Sequence, residues 1–173
     1  MKPHEEHRKA AKQHLKVRIV TVSSSRFERK KDGMEYFDEA GDEAEMAAEQ
    51  AGHQVTKREL VSDDAPMLRR EVRSFLSKGE DVMILIGGTG ISSRDITIET
   101  VWPFFEKELA GFGELLRSLS FDEIGSAAML TRATMGVAKG KLIVCLPGSP
   151  GAVKTAMKAL LGELPHAVHI ART

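Results

Sequence analysis

Residues 82–95 read Val-Met-Ile-Leu-Ile-Gly-Gly-Thr-Gly-Ile-Ser-Ser-Arg-Asp. The uninterrupted apolar run Val82–Ile86 has the length and composition of a strand buried on both faces. It stops at Gly87-Gly88-Thr89-Gly90, where glycine lets the backbone turn tightly and come close to a ligand. Hydroxyls at Ser92 and Ser93, a cation at Arg94 and a carboxylate at Asp95 follow. Backbone N–H groups in such a turn, beside a helix start, can receive a phosphate or carboxylate. A plain strand-to-helix turn also satisfies the glycines; the added hydroxyls and Asp95 point to a ligand site.

Short apolar runs recur at Val17–Val22, Val55–Val61 and Leu142–Leu146, separated by segments with helical periodicity. Ala40, Ala44, Ala47, Ala48 and Ala51 share a face between Asp38 and Gly52, and Leu68, Val72, Phe75 and Leu76 share another. Residues 97–120 read as helix interrupted at Pro103 and at Gly111-Phe112-Gly113. Met129–Ala138 reads as irregular or short strand structure, and Ala152–Leu161 as a helix. Phe27–Tyr36 is highly charged and reads as a mobile loop, a lid in one reading. This alternation predicts an α/β, three-layer sandwich with a mostly parallel central sheet. In such sheets ligands bind at the carboxyl ends of the strands. The loops Ser23–Arg26, Ser62–Asp64, Gly87–Asp95 and Pro147–Gly151 should therefore converge. Asp63 or Asp64 could equally cap the helix that follows them.

The chain has 173 residues, a length suited to one domain with a substantial core. Residues 1–16 read as a charged arm carrying His4, His7 and His14, and residues 17–173 as the folded domain. His-x-x-His could hold a metal on one helix face, but no third ligand is evident. Lys plus Arg balance Asp plus Glu at 25 each, so no global charge draws the chain to nucleic acid or an anionic membrane. No apolar run approaches the roughly 18–20 residues of a membrane span. The charged N-terminus lacks an apolar secretory core, so a cytoplasmic location is expected. Cys145, alone of its kind, sits within an apolar run and reads as a core residue.

Three familiar motifs fail on inspection. Ser93 stands where a dinucleotide fingerprint would have its third glycine, and Ile91-Ser92 follows Gly90 where a P-loop needs Lys-Ser or Lys-Thr. Pro147-Gly148-Ser149-Pro150-Gly151 is not a nucleophile elbow. A phosphate site without a protein nucleophile, with carboxylates nearby, survives.

An ordered series of blocks resembles the MoaB/MogA family of molybdenum cofactor biosynthesis, with its molybdopterin-binding fold. The blocks are Thr21-Val22-Ser23, Asp38-Glu39-Ala40-Gly41, Gly52-His53-Gln54-Val55 and Val61-Ser62-Asp63-Asp64. Gly87-Gly88-Thr89-Gly90 with Arg94-Asp95, Gly111-Phe112-Gly113-Glu114, Leu119-Ser120, Arg132 and Pro147-Gly148-Ser149 complete them. The resemblance covers about residues 17–165. It implies a trimer or a hexamer built from trimers, and a protein that binds molybdopterin, a phosphorylated pterin dithiolene. It also implies Mg²⁺- and ATP-dependent adenylylation of molybdopterin, whose product passes to a molybdenum-insertion enzyme. A silent molybdopterin-binding or carrier protein is the alternative, because the fold alone does not determine catalysis.

By position, the resemblance makes Asp63 and Asp95 the catalytic and metal-holding residues. It assigns substrate binding to Ser23, Gly87, Gly88, Thr89, Gly90, Ser92, Arg94, Glu114, Arg132, Pro147, Gly148 and Ser149. Arg94 and Arg132 are the cations expected to offset pyrophosphate charge. Three positions depart from the family pattern: Ser24 for a common Asp, Ala40 for Ser, and Ile98 for a proline.

Overall fold

Glycine and β-branched chemistry place the strand ends where the apolar runs stop. The computed structural model describes residues 13–173; His4 and His7 lie outside the described residues. The strands are β1 (Lys16–Val22), β2 (Gln54–Val61), β3 (Val82–Ile86), β4 (Lys107–Glu108), β5 (Thr134–Ala138) and β6 (Lys141–Leu146). The helices are α1 (Ser24–Lys31), α2 (Glu39–Gln50), α3 (Ala65–Leu76), α4 (Thr97–Val101), α5 (Ala110–Ile124), α6 (Pro150–Leu160) and α7 (Leu164–Ala171). Short 3₁₀ turns follow α4 at Trp102–Phe104 and α5 at Gly125–Leu130.

The six strands form one sheet in the order β2-β1-β3-β6-β5-β4. The first four are mutually parallel, and β5 and β4 continue the sheet antiparallel. The expected α/β, mostly parallel sandwich is thus what forms. Side-chain alternation along the strands divides the core between two faces. Val82, Ile84 and Ile86 face a layer that includes Ala40, Ala44 and Ala48 of α2, Leu116 of α5 and Val153 and Met157 of α6. Met83 and Leu85 face Leu68, Val72 and Phe75 of α3 with Ile98 and Val101 around α4. Cys145 belongs to this second cluster, and burial pushes its thiol up to about 12, in keeping with a packing role.

Several expectations change in detail. Phe27–Tyr36 is not a loop throughout: α1 runs to Lys31, capped by Ser23 and with Arg29, Lys30 and Lys31 at its dipole-negative end. It buries no residue, so it carries no apolar periodicity to read. Gly111 and Gly113 do not interrupt α5 but lie in its first turn, and a Cβ at Gly113 would sit 2.7 Å from the Ala133 carbonyl. The edge strand β4 falls inside the stretch read as helix. The β5–β6 connection is a two-residue turn at Lys139 and Gly140, both with positive φ (51° and 68°), as a tight hairpin requires. Leu15 is already buried and β1 starts at Lys16, so the packed unit reaches into the segment read as an arm.

Two polar networks hold the layers. Asp38 caps α2 through Oδ1, which accepts from the Gly41 N–H at 3.1 Å. Its Oδ2 accepts from Thr21 Oγ1 at 2.6 Å and from Arg58 Nη2 at 2.9 Å. A Cβ at Gly41 would lie 2.2 Å from that oxygen, which explains the glycine. The replaced serine, Ala40, is fully buried in the core.

On the other face the Arg18 guanidinium is fully buried. It donates to Glu80 Oε1 from Nε (3.1 Å) and Nη2 (2.7 Å), and to Glu71 Oε2 from Nη1 (3.1 Å). Burial pushes the Glu80 carboxyl up, but hydrogen bonds from Arg18 outweigh it and hold Glu80 below the usual carboxylate range. A depressed folded-state pKa gives stability that is present above the unfolded value and lost as the pH falls through the folded one. Glu80→Ala should therefore destabilise the protein by about 3 kcal/mol at neutral pH, because it strands a buried charge. Urea unfolding followed from neutral to acid pH checks both points: the deficit should shrink as wild-type Glu80 protonates.

Candidate active site

Four loops meet at the carboxyl ends of β1, β2, β3 and β6, where strand order reverses around β1 and β3. They enclose a cavity of about 800 Å³, within the range of small-molecule and cofactor sites. Gly87 and Gly88 carry φ values of 103° and 62°, a region that side-chain-bearing residues avoid. A Cβ at Gly87 would lie 2.4 Å from the Val22 carbonyl oxygen of β1. One at Gly88 would meet Thr97 Oγ1 at 2.4 Å and Asp63 Oδ1 at 2.8 Å, and one at Gly90 would meet Asp95 Oδ2 at 2.7 Å. The turn is pinned by Gly87 N–H to the Leu146 carbonyl (3.0 Å), and by Thr97, which donates from Oγ1 to the Gly87 carbonyl (2.8 Å) and from its N–H to the Gly88 carbonyl (2.9 Å).

The two candidate metal-holding aspartates flank this turn. Asp63 Oδ2 accepts from the N–H and Oγ of Ser24 at 2.9 and 2.8 Å. Its Oδ1, on the side of Gly88, has no hydrogen-bond donor among the described residues. The question of which aspartate caps α3 resolves to Asp64, whose Oδ1 accepts from Met67 N–H at 2.8 Å. Asp95 Oδ2 accepts from Ser92 N–H at 2.9 Å, which closes the loop on itself and leaves Oδ1 without a donor among the described residues.

Two helix N-termini point into the same space. Ser23 caps α1, its Oγ accepting from Arg26 N–H at 3.4 Å, and Ser149 caps α6, its Oγ accepting from Ala152 N–H at 3.3 Å. Their partial positive charge favours an anion. Gly148 lets the β6 loop approach, since a Cβ there would lie 3.3 Å from Gly87 Cα. Arg26, Arg94 and Arg132 line the cavity together with Asp63, Asp95 and Glu123.

Of the sequence-derived site residues, Ser23, Asp63, Gly87–Gly90, Arg94, Asp95, Arg132 and Pro147–Ser149 all line the cavity. Ser92 is exposed outside the lining and serves the loop, bonding to Asp95 and accepting from Arg94 N–H at 3.3 Å. Glu114 is exposed on the first turns of α5 and is not brought to the cavity.

Arg132 has a different first duty from binding pyrophosphate. It donates from Nη1 to the Gly90 carbonyl at 2.8 Å and pairs through Nη2 with Glu99. Burial pushes the Glu99 carboxyl up, but the Arg132 hydrogen bond prevails and keeps it low.

Sequence reasoning missed Glu99 and the far wall of the cavity, which comprises Ser120, Glu123, Ile124, Ala127 and Leu130. Glu123 there accepts from Thr155 Oγ1 at 2.7 Å. Ordinary helical residues carry no local signal of this placement; only the tertiary fold sets them opposite the glycine turn.

Comparison with known proteins agrees with this fold. Residues 18–166 match the family model of a probable molybdopterin binding domain. The chain is 41% identical over 167 residues to molybdenum cofactor biosynthesis protein B of Bacillus subtilis (strain 168), covering 95% of this chain and 94% of that protein. Among solved structures it is similar to the tungsten cofactor synthesizing protein MoaB from Pyrococcus furiosus, at 34% identity and a TM-score of 0.84. That match covers 94% of this chain and 100% of the other. A second structure, of a molybdenum cofactor biosynthesis protein B, is 40% identical with a TM-score of 0.83, covering 91% and 96% of the two chains.

Gly87→Ala tests the turn directly. Positive φ and a clash with backbone, which cannot swing aside, should together cost about 2 kcal/mol or more. Thermal unfolding should fall by about 4–8 °C. An unchanged melting temperature would show that the β1–β3 approach is not tight.

Proposed function

From the premise that this chain belongs to the molybdopterin-binding domain family of molybdenum cofactor biosynthesis, we propose that it adenylylates molybdopterin with ATP and Mg²⁺, releasing pyrophosphate. The observation that carries this reading is the pair of aspartates on either side of one glycine turn, each with an Oδ1 that has no donor among the described residues. The cavity lining includes no His, Cys or Lys, and its ionisable side chains are the carboxylates Asp63, Asp95 and Glu123 and the arginines Arg26, Arg94 and Arg132. Adenylyl transfer onto a phosphate needs no protein nucleophile. A terminal phosphate oxygen of molybdopterin attacks the α-phosphorus of ATP, forming the new P–O bond. The bond from that phosphorus to the bridging oxygen breaks, and its electron pair leaves with pyrophosphate.

What such a reaction requires is alignment and charge stabilisation. Amides of Gly88–Gly90 and the N-termini of α1 and α6 hold phosphate oxygens, and Thr89, Ser23 and Ser149 border the same space. Arg94, exposed at the cavity edge and without an ion pair among the described residues, meets the negative charge that builds on the leaving group. Arg132 keeps the turn in shape through Gly90. Asp63 and Asp95 would hold Mg²⁺ through their Oδ1 atoms. Two carboxylates suit an ion that retains several waters and takes its other ligands from phosphates. Among the described residues no group of three or more His, Cys, Asp or Glu is placed to hold a metal, so an all-protein cage is not the design. When bound, the ion would offset triphosphate charge and favour loss of pyrophosphate.

A silent molybdopterin-binding protein is the second reading, and Ser24 favours it: where relatives of this resemblance often carry Asp, a hydroxyl here occupies Asp63 Oδ2. Incubation with molybdopterin, ATP and Mg²⁺ separates the two. The enzyme reading expects adenylylated molybdopterin and pyrophosphate in equal amounts; pterin binding without product sinks it. Asp95→Asn and Asp63→Asn should each lower turnover by at least about a hundredfold, the scale of one lost electrostatic group, with pterin binding largely kept. Undiminished turnover in either would remove that residue from the metal site.

The same reading includes a homotrimer or hexamer, and delivery of the product to a molybdenum-insertion enzyme. Leu115, Phe121, Ile124, Met129 and Leu130 are large apolar residues left about half or more exposed on α5 and the 3₁₀ turn after it. Large apolar side chains left exposed along this helix and turn support self-association. Light scattering should give three or six times the 19.0 kDa chain mass; a monomer at working concentration would contradict it.

A further inference from the structure

The outer face of α3 is cationic without internal compensation. Arg69, Arg70 and Arg73 are exposed, and none of their guanidinium groups has an ion-pair or hydrogen-bond partner among the described residues. By contrast, Arg18 is paired with Glu71 and Glu80, Arg58 with Asp38, Asp42 and Glu45, Arg132 with Glu99, and Arg172 with Asp81. The one carboxylate on α3, Glu71, is turned the other way and engaged by Arg18 at 3.1 Å and Lys57 at 3.5 Å. Arg69 and Arg73 are four residues apart and Arg70 and Arg73 three, spacings at which like charges on a helix repel. Together with Pro66, Ser74 and Ser77 they line a shallow open groove of about 680 Å³.

We infer that this face docks an acidic segment of a partner protein. Guanidinium forks pair bidentately with carboxylates, and an array of three spread around a helix matches several carboxylates along a segment. A single free phosphate matches it less well: backbone N–H groups in mid-helix are already hydrogen-bonded, and Pro66, the lining residue in the first turn, has no N–H to offer. Nucleic acid matches less well too, because the chain's formal net charge is zero. The location gives the contact a use. The helix starts directly after Asp63 and Asp64, so Pro66 at the head of the groove stands three residues from an aspartate of the cavity. A partner seated on α3 lies beside the cavity mouth. The inference rests on this surface alone and stands whether or not the adenylylation reading does.

The test uses the full chain and a short fluorescein-labelled peptide of alternating Glu and Gly residues, followed by fluorescence anisotropy. Wild type should bind the peptide, and added salt should weaken the complex. R69E/R70E/R73E should reduce affinity by at least about tenfold, or 1.4 kcal/mol. R69Q/R70Q/R73Q, which removes charge without adding any, should give a smaller loss in the same direction. The control K107E/K154E/K158E changes net charge equally at exposed sites away from α3 and should keep near-wild-type affinity. Melting temperature and molybdopterin binding should be unchanged in all three variants, which separates lost docking from lost folding. Equal loss in the control, equal peptide binding by the α3 variants, or tighter binding of a short DNA duplex than of the peptide would each overturn the inference.

Discussion

The site depends on one close approach: the bare backbone of Gly87 lies against the Val22 carbonyl where β1 and β3 end side by side. A methyl group at that point would force apart the two strands on which the parallel sheet is built. Because β1 is the strand from which the chain departs in both directions, its end opens a crevice, and the turn after β3 fills one wall of it. Thr97, Asp63 and Gly148 all pack on the same few atoms. The loops from β1, β2 and β6 are thus held at mutually fixed distances by these contacts. The cavity follows from packing, and its polar groups from the residues each loop places at its tip.

That arrangement divides labour among residues of similar chemistry. Of two adjacent aspartates, Asp64 spends its carboxylate on capping α3, while Asp63 is clasped by Ser24 on one oxygen and left open on the other. Of the arginines lining the cavity, Arg132 is committed to Glu99 and the Gly90 carbonyl, whereas Arg94 remains available to a ligand. The Ser24 departure does not empty the first loop of function; it turns that loop into a support for Asp63. Such support suits transfer between two phosphorylated substrates, where holding groups in line matters more than supplying a nucleophile.

Much of this was legible in the residues. Val82–Ile86 reads as a strand from its apolar run alone and is one, and the glycines after it mark a turn whose φ values and close contacts exclude other side chains. The helical spacing of Ala40, Ala44 and Ala48 places α2 on the sheet. Less was legible where the signal is a cap or a long-range contact. The helix α1 buries nothing, so only Ser23 and the basic last turn announce it. Gly111-Phe112-Gly113 looks like a break, yet Gly113 is there because the Ala133 carbonyl crosses α5. Glu114 sits in a matching block but on the exposed side of α5, and Glu99 matters only because the fold brings Arg132 to it from 33 residues away.

The central claim is that substrate phosphate, not a protein side chain, attacks ATP in this cavity. The stereochemical course at the α-phosphorus tests it most directly, using ATP made chiral there with oxygen isotopes. A single in-line displacement predicts inversion in the adenylylated molybdopterin. Retention would signal a covalent adenylyl-protein intermediate formed by two successive displacements and would contradict the account.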